Sequence, residues 1–275
     1  MLHAGTPAIF RLIPCFLLIL LLLPISNAQA GISTPSVALQ VIALCNTCQV
    51  LILGETHQKT ESPVLFIDLV TQLITKGERV LVGLEVSATQ QDVLDAVMTG
   101  QRSPEGITHP IIDSPSFQNL LVELSELYCA HGQFITIAAI DARNRGRVRD
   151  AAMARHIRTH LATGQFDRIV VLVGNLHTIR KMHWTEDAGS NAPFLAERLV
   201  DAGVQVTSVM QDLDTKCGGL KHPTFYTVRD AKGLEAVRRQ LGTIKHHPAM
   251  DMRQAADSVV VWQCREETVD AEAGR

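Results

Sequence analysis

The sequence predicts a three-layer α/β domain, with a mainly parallel sheet flanked by helices on both faces. Apolar runs of strand length recur along it, most of them continuous rather than alternating, as in strands covered on both sides. Segments with helical punctuation lie between them. The resulting order is strand, helix, strand, two helices, strand, helix, strand, helix, strand, which suits crossover connections around a parallel sheet.

The first thirty residues stand apart from this pattern. After Arg11 comes LIPCFLLILLLLP, then SNAQA, with Ala28 and Ala30 in an A-x-A arrangement, which reads as a secretory signal peptide over 1–30 cut before Gly31. The apolar core is shorter than the roughly 20 residues of a membrane span. No later stretch qualifies as a span, and Cys15 lies upstream of the cut, which argues against a lipid-modified cysteine there. The expected product is exported, periplasmic or secreted, with one domain over 31–265 and an acidic, disordered tail over 266–275. The leader holds Arg11 and no acid, leaving 24 basic against 28 acidic residues and a net charge of −4. That balance gives no reason to expect a nucleic-acid partner.

In chain order, strands are predicted at Val50–Leu53, Val80–Leu84, Phe134–Ile140, Ile169–Val173, Val204–Val209 and Val259–Trp262, with TFYTV at 224–228 as a shorter strand near an edge. Ser62-Pro63 opens a helix that closes at Lys76-Gly77. Ser87 with Gln90 reads as a capping box, and Ser114-Pro115 opens a helix that stops near Gly132. Asp150–Gly164 carries Met153, Ile157 and Leu161 at helical spacing, and Asn191–Gly203 has Pro193 near its start and glycine at its end. Cys45, Cys48, Cys129, Cys217 and Cys264 follow the leader. In an oxidising compartment they read as structural, and the odd count leaves at least one without an internal partner. CNTC precedes a strand rather than opening a helix after one, unlike a thioredoxin-type site.

In an open parallel sheet, ligands bind beyond the carboxyl ends of the strands. The first strand ends in Gly54-Glu55-Thr56-His57, the second in GLE with Glu85, the third in Asp141-Ala142-Arg143, and the fourth in Gly174-Asn175-Leu176-His177. Central strands thus deliver carboxylates, an arginine and two histidines to one rim. Imidazole titrates near neutrality and can take a proton from water, a neighbouring carboxylate can fix its tautomer, and an arginine can hold an oxyanion. Two histidines with two or three carboxylates also suit zinc, manganese or iron. The chain has no G-x-S-x-G elbow, H-E-x-x-H helix, G-x-x-x-x-G-K-[ST] loop or G-x-G-x-x-G turn, so serine hydrolase, zincin, P-loop and dinucleotide readings lose support.

LGETH, GLE, DAR and GNLH, in that order, resemble the superfamily that joins ChaN-like haem-uptake proteins, Tiki/TraB proteins and erythromycin-esterase-like hydrolases. RDAAMARHI, with Arg149 and Asp150, and QQDVLDAVMTG look most like the ChaN branch. The resemblance implies an α/β fold of that kind and a pocket centred on Glu55, His57, Glu85 and His177, which are also its possible metal ligands. It places Arg143, Asp141, Arg149, Asp150 and Asn175 beside them. In the esterase-like branch the histidine of G-E-x-H is regarded as the base that activates water. Three readings follow: a His/Glu-dependent, possibly metal-assisted hydrolase of an ester or amide; a haem- or iron-binding uptake protein; and a non-catalytic binding protein. The corresponding partners are a small-molecule or peptide substrate, or haem. For haem, the available axial ligands are Tyr128, Tyr226, His109 and His183.

Overall fold

The computed structural model describes residues 35–142, 147–183, 185, 192–214, 220–242, 244, 246 and 250–264. The expected leader and tail, together with Arg143, lie outside them. The chain runs through α1 (Pro35–Leu44), β1 (Val50–Glu55), α2 (Glu61–Thr75), β2 (Val80–Ser87), α3 (Gln91–Met98) and α4 (Pro115–His131). It continues through β3 (Ile135–Asp141), α5 (Arg147–Ala162), β4 (Arg168–Gly174), α6 (Leu195–Asp201), β5 (Val206–Leu213), β6 (Lys221–Thr227), α7 (Ala231–Leu241) and β7 (Ser258–Cys264). No helix among the described residues is long and apolar enough to cross a membrane.

The strands form one sheet in the order β3-β2-β4-β1-β5-β7-β6. All pairs are parallel except β6 with β7, where TFYTV lies on the antiparallel edge. Two apolar layers sandwich the sheet. Leu51 and Leu53 of β1 join the core built with α1, α2, α3 and α4, while Val50 and Ile52 join the core that holds Met153 and Ile157 of α5 and Leu195 and Leu199 of α6. Alternate residues of one strand therefore bury themselves on opposite faces, which is why β1 reads as a continuous apolar run. A third cluster packs α7 on β5 and β7 through Val237, Leu241, Met210 and Val259.

Several expectations are corrected. The Ser87–Gln90 capping box does not form. Ser87 ends β2, its hydroxyl meets Thr89 Oγ1 at 3.0 Å, and a 3-10 turn over Ala88–Gln90 delays α3 to Gln91. Ser114 does cap α4, accepting from the Phe117 N–H at 3.3 Å. β3 is an edge strand, not a central one. Its free side is covered by the Gln91 amide, which donates to Ile137 O at 3.1 Å and accepts from Ala139 N at 2.7 Å, mimicking a further strand. The helix expected from Asn191 begins at Leu195, and β5 extends to Leu213. Neither α1 nor α7 was expected.

The cysteines divide as their odd count requires. Cys45 and Cys48 form a disulfide beside the start of β1, Cys264 is disulfide-bonded too, and Cys129 is free and exposed. The Arg168 guanidinium at the start of β4 donates to the carbonyls of Cys45 and Cys48 and lies 3.0 Å from Cys45 Sγ.

Candidate active site

The connections of the sheet explain where the polar residues gather. β1 and β2 are followed by α2, α3 and α4 on one face, whereas β4 is followed by α6 on the other. β4 stands between β1 and β2, so neighbouring strands send their chains to opposite faces and leave a crevice above β4. Glu55, Glu85 and the turn Asn175–Thr178 all open onto it.

Glu55 is buried, and its Oε1 accepts the Nδ1–H of His57 at 2.8 Å. Gln58, with φ of 66°, then turns the chain through the left-handed region and away from the site. His177, in the turn after β4, makes the matching arrangement: its Nδ1 donates to Asp150 Oδ1 at 2.6 Å. Asp150 sits in the first turn of α5 and also accepts the Leu195 N–H at 2.8 Å, so the start of α6 steadies it. A carboxylate only accepts, so each imidazole must donate from Nδ1, and in its neutral form each presents an unprotonated Nε2.

Between them stands Glu85, also buried. Its Oε2 accepts the Gly174 N–H at 2.8 Å and its Oε1 accepts from Arg149. His177 Nε2 lies 3.9 Å from Glu85 Oε1. Arg149 grips Asp141 as a fork, Nε to Oδ1 at 2.7 Å and Nη2 to Oδ2 at 2.8 Å, and its Nη1 has no hydrogen bond among the described residues. Burial alone would lower the Arg149 pKa, but the bonds to Asp141 and the charge of Glu85 outweigh it and hold the guanidinium above its ordinary value. Arg149 is therefore a permanent cation.

Burial likewise acts to lower the His57 pKa. The hydrogen bond and charge of Glu55, helped by Glu85 and opposed by Arg149, more than compensate, and the net shift is upward.

Gly174 makes room for the His57 ring. A Cβ there would lie 3.2 Å from His57 Nε2 and 3.7 Å from His177 Cδ2. The site opens into a cavity of about 630 Å³ whose charged side is His57, Glu85, Asp141 and Arg149 and whose opposite side includes Ile107, Thr108, His109, Ile111 and Ile112.

Seven of the residues expected in the site are thus drawn together: Glu55, His57, Glu85, Asp141, Arg149, Asp150 and His177. Asn175 is not. Its amide bridges to β5, donating to Gln211 O at 2.7 Å and accepting from Gln211 N at 2.9 Å, because the turn after β4 carries its side chain toward β5. Of the expected metal ligands, Glu55, His57 and Glu85 offer atoms within 4.8 Å of one another; His177 is outside that set, held instead by Asp150. Of the four haem-ligand candidates only His109 lines the cavity. Tyr128 of α4 packs against the core, Tyr226 packs with the α7 cluster, and His183 is exposed. The sequence reading missed the isoleucine wall. Its signal was present in ITHPII, an apolar stretch with no helical or strand period amid turn residues.

No protein-family model matches the sequence, and no curated protein does. Solved structures match in fold. A succinoglycan biosynthesis protein aligns at 9% identity over 81% of this chain and 89% of its own, with a TM-score of 0.61. An erythromycin esterase mutant in its open conformation aligns at 11% identity over 81% of this chain and 92% of its own, with a TM-score of 0.56. A haem-bound ChaN of Campylobacter jejuni aligns at 12% identity over 83% of this chain and 91% of its own, with a TM-score of 0.38. The chain shares the α/β fold of the succinoglycan biosynthesis protein and of the erythromycin esterase. At such identities the likeness concerns fold and leaves activity to the site.

Proposed function

We propose that the chain is an exported hydrolase of an ester or amide in which His57 is the general base. The observation that carries this reading is the Glu55–His57 pair, a carboxylate-held imidazole that lines the cavity with Arg149, while a second such pair, Asp150–His177, stands behind it, both rings within 4 Å of the place a Gly174 Cβ would take. His57 Nε2 takes a proton from water, and the water oxygen bonds to the carbonyl carbon. The carbonyl oxygen becomes an oxyanion facing Arg149 Nη1, the donor that Asp141 and Glu85 leave open. The tetrahedral species then collapses with cleavage of the C–O or C–N bond, and the proton held on His57 Nε2 passes to the leaving group. Glu55 and Asp150 keep the rings in the required tautomer. The apolar leader is what supports export.

His57→Ala is expected to lower kcat/KM on a hydrolysed ester by about 10²–10⁴. Unchanged turnover would remove His57 from the mechanism.

A second, metal-assisted reading draws on Glu55, His57 and Glu85, which have the donor types and mutual distances to hold a divalent cation. Bound there, the ion would polarise the carbonyl or acidify water. The Arg149 cation already on Glu85 opposes it. Metal analysis of the purified protein, with activity before and after chelation, decides between the two. Haem is the third candidate, and the absence of a Soret band on haem titration would dismiss it. His109, the one cavity-lining ligand candidate, already accepts the Ile111 N–H at Nδ1, 3.3 Å away.

A further inference from the structure

The cavity is two-sided, and the second side has no part in the chemistry above. Ile107, Ile111 and Ile112 line it, with Thr108 and His109 among them, on the loop between α3 and α4. The loop is built to hold them in place. Thr108 Oγ1 donates to the Glu85 carbonyl at 3.1 Å, tying the apolar wall to the strand end that carries the site. Asp113 Oδ2 accepts the Gly106 N–H at 2.9 Å, its Oδ1 accepts from Gln118 at 3.0 Å, and the His109 carbonyl accepts from Ile112 N at 2.8 Å. Ile107 and Ile112 are buried, whereas Ile111 is 55% exposed where it lines the cavity.

We infer that the substrate carries an uncharged aliphatic arm on the acyl side of its scissile bond, and that Ile111, with Ile107 and Ile112, is the wall that selects for it. The assignment rests on the hydrolase reading for the reaction but not for the apolar subsite. A cavity of about 630 Å³ is of the size that takes a small organic ligand. An arm packed on this wall would leave the carbonyl at the charged side, between His57 and Arg149.

The test uses 4-nitrophenyl acetate, butyrate and hexanoate with the mature protein, and separately the uncharged fluorophore N-phenyl-1-naphthylamine. Full burial of each added methylene corresponds to about fourfold in kcat/KM, so a rise of at least about tenfold from acetate to hexanoate is expected. Ile111→Ser, at a half-exposed position that should fold, is expected to lower the hexanoate-to-acetate ratio at least about threefold and to weaken fluorophore binding. Ile111→Leu should retain both. Turnover that is indifferent to chain length and to Ile111→Ser overturns the inference and leaves the hydrolase reading standing. Fluorophore binding that weakens in Ile111→Ser, with no ester or amide cleaved, keeps the apolar subsite and overturns the hydrolase reading. No fluorophore binding together with a flat ester series removes the subsite altogether.

Discussion

At the scale of single residues, a buried carboxylate sets the behaviour of the histidine it holds. Glu55 raises the His57 pKa above the ordinary imidazole value near 6.5, against the opposing effect of burial. A general base acts when unprotonated, so activity should rise with pH through the His57 pKa, and the acid limb of kcat/KM should lie above that ordinary value. Glu55→Gln keeps an acceptor for the Nδ1–H and removes the charge. The limb is expected to move to lower pH in this variant, and an unmoved limb would show that another group titrates. By linkage, the raised pKa adds stability below the unfolded imidazole pKa, and that contribution is lost as pH rises through the folded one. Gly174 offers a second test, because its φ of −55° and ψ of 146° suit alanine. Gly174→Ala should fold with a melting temperature within about 3 °C of the parent yet lose at least about tenfold in kcat/KM, since the methyl group would meet His57 Nε2. The strand-end polar residues were legible in the sequence because each follows a buried run. Which way a side chain turns after the strand was not, and Asn175, directed to β5, shows why.

At the scale of elements, one side chain holds several together. Gln211 of β5 is fully buried; its amide donates to the Gly54 carbonyl of β1 at 2.5 Å and accepts from Trp262 Nε1 of β7 at 2.7 Å. Its own peptide group is clamped by Asn175. Gln211→Ala would strand a buried carbonyl and a buried indole N–H. Each costs about 1–3 kcal/mol, so a loss on the order of 3 kcal/mol is expected by urea denaturation. Because Gly54 precedes Glu55, activity should fall as well. None of this was readable beforehand, since a glutamine in an apolar strand announces burial but not its partners. The helices were read from their ends. Ser114-Pro115 behaved as such a pair does, whereas Ser87-x-x-Gln90 did not, because β2 continues through Ser87 and its hydroxyl is taken by Thr89. The amphipathic α7, with Ala236, Val237 and Leu241 buried, was legible in principle and was passed over beside the stronger apolar runs.

At the scale of the whole molecule, the disulfide and the candidate site occupy opposite ends of the strands. The Cys45–Cys48 disulfide and Arg168 lie where β1 and β4 begin, and the reacting groups lie where those strands finish. A loop this short yields about 2 kcal/mol in the chain-entropy account. Cys45→Ala/Cys48→Ala should lose no more than about that in denaturant titration while keeping its kcat/KM, and a large fall in activity would mean that the two ends communicate. The parallel sheet was legible because continuous apolar runs have few other uses. The strand order was not, since the return of β4 between β1 and β2 depends on long-range pairing that no local pattern encodes.

That return of β4 has a further meaning for how such a scaffold can change over time. The isoleucine loop belongs to the connection on the face of α2 and α4, while Asp150 and α6 belong to the other face, and Glu85 meets both, its carbonyl accepting from Thr108 and its carboxylate from Arg149. On the hydrolase proposal, substitutions in the loop would alter which molecules are admitted and leave the Asp150–His177 pair in place, with Glu85 common to both halves.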